Sequence, residues 1–429
     1  MKILRLLLIF GFVVTTNAQN VEIEAEIIAS GYFSNEGGLP FWFQTNTSAS
    51  VGAETNFSGT GRVKATYSFS NSNIEAGTAW FYRDGVLTNE FQRRDLYARF
   101  SNNWLKVTAG SKEGVVKLNG LSATNMNFLL SNNARPLPGL IVEANNPLKI
   151  VKGFAIDWGI AHYSLNDDRF VDNALVHYKK FGIHWKINES NSLKGTIQHF
   201  AQWGGTSPTD GKQEVSFNGF TDVFIAKRSG ANVNAEGNHL GSYLLEYSLK
   251  TNIGEFTTYH EHPFEDGSGT RLANFPDGVW GIFFTPQSNK LITSVLYEYI
   301  DTTDQSFYVG GSGDDSYFNH KIYRSGWSYE GQTLGLPFIT PFVNNSVRAH
   351  HFGATSSIKK VDLSFKTTFI QSNGTIPIPF EEQQNKIYVF AKAAYATEKY
   401  GNVSLLFGYD YDKRAKDLIG GGLSYSYIF

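Results

Sequence analysis

The chain has 429 residues, 37 Lys and Arg against 39 Asp and Glu, a formal net charge of −2, 15% aromatic residues, 42 glycines and no cysteine. So even a balance argues against a nucleic-acid partner. The missing cysteine excludes disulfides, thiolate metal sites, a cysteine nucleophile and a lipidated-cysteine anchor.

Lys2 and Arg5 precede the apolar stretch Leu6–Val14, and Thr16-Asn17-Ala18 supplies the small residues a signal peptidase needs. Residues 1–18 are therefore expected to be a signal peptide, with 19–429 as one domain. Beyond it, no stretch approaches the roughly 18 apolar residues of a spanning helix. Instead, apolar residues recur at every second position. Val63, Ala65, Tyr67 and Phe69 open the series, followed by Ile156, Trp158 and Ile160. Tyr243, Leu245, Tyr247 and Leu249 come next, and then Leu291, Thr293, Val295, Tyr297 and Tyr299. Val361 to Phe369 and Val403 to Tyr409 complete it. Period-2 patterning marks strands with two different environments.

The last strand decides between a soluble β-sandwich or propeller and a membrane barrel. Leu423, Tyr425, Tyr427 and Phe429 share one face, with Ser424 and Ser426 on the other. An aromatic carboxyl terminus on such a strand, after an export signal, points to an outer-membrane barrel. Phe429, Tyr427 and Tyr425 are read as the signal met by the barrel assembly machinery. A mean hydropathy of −0.26 does not conflict, because barrels confine their apolar band to alternate residues and place aromatics in two interfacial girdles facing lipid. The fold class is thus all-β, an antiparallel transmembrane β-barrel of about 18 strands, with 16 also compatible.

Walking back from Phe429 at the periplasmic rim assigns short periplasmic turns to Tyr400-Gly401-Asn402, Ser357–Lys360, Pro286–Lys290, Thr251-Asn252, Glu189–Ser192, Asn145-Asn146-Pro147 and Asn71–Asn73. The external set holds Asp412–Leu418, Gln371–Gln384, Lys112–Pro136, Gly205–His239, the region after His260 and Asp301–Asn345. Short turns alternating with long loops are the asymmetry of outer-membrane barrels. Asp301–Asn345 is rich in aromatics and reads as a folded lid or inward plug.

The external half carries five distinctive islands: GGLPFWFQTN from Gly37, SNNARPLPGL from Ser131, EGNHLGSYLLEY from Glu236, HEHPFEDGSGTRLANFPDGVWG from His260 and YFNHKIYRSGWSYEGQTLGLP from Tyr317. In this order they resemble the Wzi family of capsule assembly proteins from about Phe41 to the carboxyl terminus. The resemblance implies an outer-membrane lectin that holds capsular polysaccharide or exopolysaccharide at the cell surface, with outer-membrane lipid around it and no cofactor. Gln19–Pro40 is too short and too β-like for the small periplasmic helical bundle of the best-known members.

The residues themselves permit sugar binding, which wants flat rings for the C–H faces and planar polar groups for the hydroxyls. Phe264, Trp280, Trp327 and Tyr329 are candidates for the first role. Asn238, Glu265, Asp266, Arg271, Asn274 and Asp277 are candidates for the second. The bland alternatives are loops that satisfy one another within the lumen, and aromatics of the upper girdle. A porin-like channel for sugars or other small solutes is the second functional reading. Other motifs carry less. Gly310–Asp315 matches a single unit of a calcium-binding repeat that needs stacked copies. His260 and His262 share a strand face without an evident third metal ligand. Gly267-Ser268-Gly269 lacks a nucleophile-elbow frame, so no catalytic residue is expected.

Overall fold

The computed structural model describes residues 20–86, 89–227, 235–287, 291–307, 315–397 and 399–429. The expected signal peptide lies outside the described residues, as does most of Gly310–Asp315.

Eighteen antiparallel strands form the wall. The first six are β1 (Val21–Ser34), β2 (Phe57–Ser68), β3 (Ser72–Arg83), β4 (Phe91–Asn102), β5 (Leu105–Ser111) and β6, which has two segments, Gly139–Ala144 and Leu148–Val151. Next come β7 (Phe154–Leu165), β8 (Ala174–Lys186), β9 (Asn191–Trp203), β10 (Asn238–Lys250), β11 (Gly254–Phe264) and β12 (Gly278–Pro286). The last six are β13 (Ile292–Asp301), β14 (Val347–Ile358), β15 (Val361–Gly374), β16 (Pro379–Thr397), β17 (Gly401–Asp412) and β18 (Leu418–Ile428). Each strand pairs with its sequence neighbours, and β18 pairs back onto β1 from Glu26↔Ile428 to Ser34↔Gly420, closing the ring. Closure leaves no free sheet edge, which is what allows strands to cross a bilayer.

The period-2 faces sort as the alternation requires. Ile23, Ile27, Phe365, Leu405, Phe407 and Leu423 lie exposed on the outward face, toward lipid. Inward positions of the periplasmic half carry charge that is paired across strands: Arg62–Glu26 at 2.5 Å, Lys64–Glu24 at 2.7 Å, Lys194–Glu246 at 2.7 Å and Lys106–Glu143 at 3.0 Å. This half of the lumen is a polar vestibule.

Two connections differ from expectation. Asn145-Asn146-Pro147 does not reverse the chain but interrupts β6, both segments of which pair with β7. Proline has no N–H for the ladder, so it sits at an irregularity, while the reversal falls at Gly153, whose φ of 83° suits glycine. The long external stretch expected over Gln371–Gln384 is mostly strand, since Ser372 pairs with Gln384 and Gly374 with Pro379.

Candidate functional site

The external half of the lumen is filled. Three loop segments, 37–51, 112–138 and the described residues of 302–346, turn inward and meet in one apolar core. That core joins Leu121, Phe128, Leu129, Tyr317, Trp327 and Leu336 to wall residues such as Phe200, Val176 and Leu296. Over its described residues Asp301–Asn345 has the expected inward fold, but it shares this role with two loops that the sequence did not mark as plugs.

Inward polar residues tie the plug to the wall. On β13, Glu298 accepts hydrogen bonds from Ser122 Oγ at 2.6 Å and the Ala123 N–H at 2.8 Å, and also from the Tyr259 hydroxyl. On β11, Glu261 accepts from the Phe128 N–H and Ser242 Oγ, both at 2.7 Å, and from Gln198 Nε2 at 3.1 Å. His351 of β14 lies 2.7 Å from the Leu121 carbonyl and 2.8 Å from Thr368 Oγ1, while Trp42 Nε1 donates to Thr368 Oγ1 at 3.2 Å. His350 points outward beside Tyr297, so the two adjacent histidines serve opposite faces. Glycine permits the closest approaches: a Cβ on Gly353 would lie 2.9 Å from Leu121 Cβ, and one on Gly420 2.6 Å from Pro40 Cδ.

At the external rim above β8–β11, a cavity of about 420 Å³ is framed by the loops after β9, β11 and β13. Its walls include the Tyr243 and Phe264 rings, with centroids 4.9 Å apart, and Asn238, His239, Glu265 and Asp266. The Tyr243 hydroxyl donates to the Thr270 carbonyl at 3.3 Å. Asp266 Oδ1 accepts from Ser268 N–H at 2.6 Å and Ser268 Oγ at 2.5 Å, which shapes the turn. Glu265 accepts from the Phe318 N–H at 2.8 Å, and Asp315 accepts from the N–H groups of Glu265 and Asp266 at 2.9 and 3.2 Å. Burial pushes the Glu265 carboxyl well above the ordinary range, and the neighbouring Asp315 and Asp266 add to that push. Burial also raises Asp315 and lowers the His320 imidazole to about 4.

Four of the ten sequence-named residues, Asn238, Phe264, Glu265 and Asp266, come together around this cavity. Asn274 and Asp277 lie fully buried beneath it. Asn274 Nδ2 donates to the Tyr317 hydroxyl at 2.6 Å, and Asp277 accepts from that hydroxyl at 2.9 Å and from the N–H groups of Asp304 and Gln305 at 3.1 and 2.9 Å. Arg271 is exposed on the short turn Gly269–Arg271 and is not part of the cavity wall. Trp280 stands on the outward side of β12, stacked on His260. Trp327 and Tyr329 are 0% exposed within the plug, where Trp327 Nε1 donates to the Leu129 carbonyl at 2.5 Å and the Tyr329 hydroxyl to Asn166 at 2.6 Å. Sequence reasoning did not single out Tyr243, His239 or His320 as site residues. The first belongs to a lipid-facing series, and only its height near the rim gives it a second role. Among the described residues, no group of three or more His, Asp or Glu converges as a metal site.

Asp277 joins the loop after β11 to the one after β13, and burial raises its carboxyl from an ordinary 3.8 to about 7. An acid with a raised folded value keeps its proton in the folded state over a range where the unfolded chain has lost it. Its contribution is therefore present at about pH 4 and declines as pH climbs toward about 7. Protease protection of residues 315–346 should weaken across that window in the wild type. Asp277→Asn should flatten the dependence, and an unchanged slope in the variant would assign it to another group.

A closed eighteen-stranded barrel with a lipid-facing outer surface and a loop-filled external mouth is an outer-membrane β-barrel. The family model for capsule assembly protein Wzi matches residues 24–419, and the chain belongs to that family. Among solved structures it is similar to Escherichia coli Wzi, described as a carbohydrate-binding β-barrel involved in group 1 capsule assembly. Identity is 12%, over 93% of this chain and 83% of that one, with a TM-score of 0.62. It is also similar to Pseudomonas aeruginosa OccK3 (12% identity, 95% of each chain, TM-score 0.54) and to a BenF-like porin of Pseudomonas fluorescens (9% identity, 95% and 98%, TM-score 0.53). At these identities the likeness shows the fold alone. No curated protein sequence matches the chain.

Proposed function

We propose that this outer-membrane barrel of the capsule assembly family binds capsular or extracellular polysaccharide non-covalently through its external face and anchors it to the cell surface. The observation that carries this reading is the rim cavity, where two aromatic rings stand beside carboxyl, amide and imidazole groups on the outer flank of a barrel whose lumen is already filled by loops. Tyr243 and Phe264 offer surfaces for the C–H faces of a sugar, and Asn238, Glu265 and Asp266 offer hydrogen bonds to its hydroxyls. One shallow site of this kind supplies about −4 kcal/mol, a millimolar affinity. A polymer that engages many barrels gains roughly 10²–10⁴ in retention.

The test uses refolded barrel and labelled polysaccharide. Losing one stacking ring is worth about 1.4 kcal/mol, so Tyr243→Ala should weaken single-site binding roughly tenfold. Asp266→Asn should weaken it as well, with the yield of heat-modifiable barrel unchanged. Wild-type retention by both variants would remove the cavity from the function. The channel reading has the porin-like fold in its favour and the filled lumen against it. Large, steady single-channel currents from the intact protein would reinstate it.

A further inference from the structure

The loop after β9 meets the plug at Gly204, whose carbonyl accepts from the Tyr323 hydroxyl at 3.2 Å, but its helix packs in a cluster apart from the plug core. The loop leaves Trp203, turns outward and lays this helix, α1 (Phe217–Phe224), against the outside of the barrel. The helix is amphipathic. Phe220 packs on His177, Trp203 and His162 with ring centroids 5.3, 5.9 and 6.0 Å apart, and Phe224 lies 5.1 Å from His177. Asn218 is exposed on the opposite side. Ser216 caps the helix by accepting from the Gly219 N–H at 3.2 Å.

The helix does not cover the wall completely. Between it and β6–β8 runs a groove of about 440 Å³, a volume within the roughly 300–1,000 Å³ of small-molecule sites. Its floor is Leu140, Val142 and Ile160, outward residues continuous with the lipid-facing surface, and Trp203, Val215 and Phe217 form its sides. Phe217 is 78% exposed, a costly placement in water and an ordinary one in a bilayer. His162, His177 and Ser216 are the polar side chains lining this largely apolar slot, and His177 is 1% exposed with neither of its ring nitrogens hydrogen-bonded among the described residues. A buried, unpaired imidazole calls for a partner.

We propose that the groove under α1 is a binding site for one acyl chain of an outer-leaflet lipid, with α1 as the clamp and His177 meeting a polar oxygen carried by that lipid. The occupant follows from continuity, because the floor of the groove is the same surface that the bilayer already covers. A lipid held there also steadies the segment 204–227, whose Ala226 borders the rim cavity. The site does not depend on the polysaccharide reading.

Trp203 in the groove wall provides the probe. The purified barrel in non-ionic detergent is titrated with a phospholipid brominated at mid-chain, and the Trp203 signal is taken as wild type minus Trp203→Phe. The expected result is saturable quenching of that signal at one lipid per barrel, at lipid fractions where the other tryptophans remain unquenched. Val215→Asp, which places a charge in the side of the groove, should abolish the preference by at least tenfold without reducing heat-modifiable barrel. Quenching of Trp203 in step with the other tryptophans, or an unaltered titration in Val215→Asp, would mean ordinary annular lipid and overturn the proposal. A Trp203 response to polysaccharide in place of lipid would overturn it too.

Discussion

Replacing both Glu261 and Glu298 with alanine is expected to unseat the plug and turn the barrel into a conducting pore. Each carboxylate receives three hydrogen bonds, and three of these six partners, the Phe128 and Ala123 N–H groups and the Ser122 hydroxyl, belong to the plug segment 112–138. Hydrogen bonds to charged groups contribute about 1.5–3 kcal/mol each, and a buried N–H left without its acceptor costs a further 1–3 kcal/mol. The double variant thus loses several kcal/mol of attachment at sites the surrounding apolar core cannot replace. The wall should survive, because its ladder from β1 to β18 uses none of these side chains. Planar-bilayer recordings should show the wild type essentially closed and the double variant passing steady current, with equal yields of heat-modifiable barrel. Equal silence in both would mean that the apolar contacts around Phe128 and Trp327 hold the plug unaided.

How much of this was legible in the sequence follows from the physics of alternation. Lipid faces one side of every strand, so Val403, Leu405 and Phe407 declare a strand whatever the loops do, and the terminal Phe429 declares which way the barrel stands. The inward side is less readable. Glu261, Glu298 and His351 look like ordinary lumen polar groups, and only the folded chain shows that each meets a backbone group of a plug. The same ambiguity affects the aromatics. Trp327 and Tyr329 sit in a glycine-rich external stretch that reads equally as a sugar platform or as a core, and the structure places them in the core. Phe264, Glu265 and Asp266 converge with Asn238 because β10 and β11 are a hairpin, with Gly241 opposite Phe264, and that neighbourhood was implicit in the order of the motifs. The contribution of Tyr243 was hidden by its membership of an apolar series, and the outward turn of the loop after β9 has no signature beyond the short amphipathic pattern Phe217, Phe220, Val223, Phe224.

Phe429→Ala is the second substitution with a large expected effect, and the structure separates its cause from ordinary destabilisation. In the folded barrel the Phe429 side chain is 70% exposed, and its ring meets Tyr427 at 4.8 Å. Its backbone N–H donates to the Ala25 carbonyl at 2.9 Å, a bond that alanine retains. Truncating an exposed side chain away from the core usually changes stability by no more than about 0.5 kcal/mol. If the residue is read during assembly, before β18 has closed on β1, the loss falls on the rate of closure and the unclosed chain is degraded. The expected outcome is a several-fold drop in assembled barrel in cells, while the barrel that does assemble keeps its wild-type unfolding temperature in detergent. A lowered unfolding temperature at normal abundance would assign Phe429 to the folded wall, with no part in assembly. Tyr427→Ala provides the internal comparison: it lies on the same outward face and contacts Phe429, so it should reproduce the abundance defect more weakly if the terminal aromatic pair is what the assembly machinery recognises.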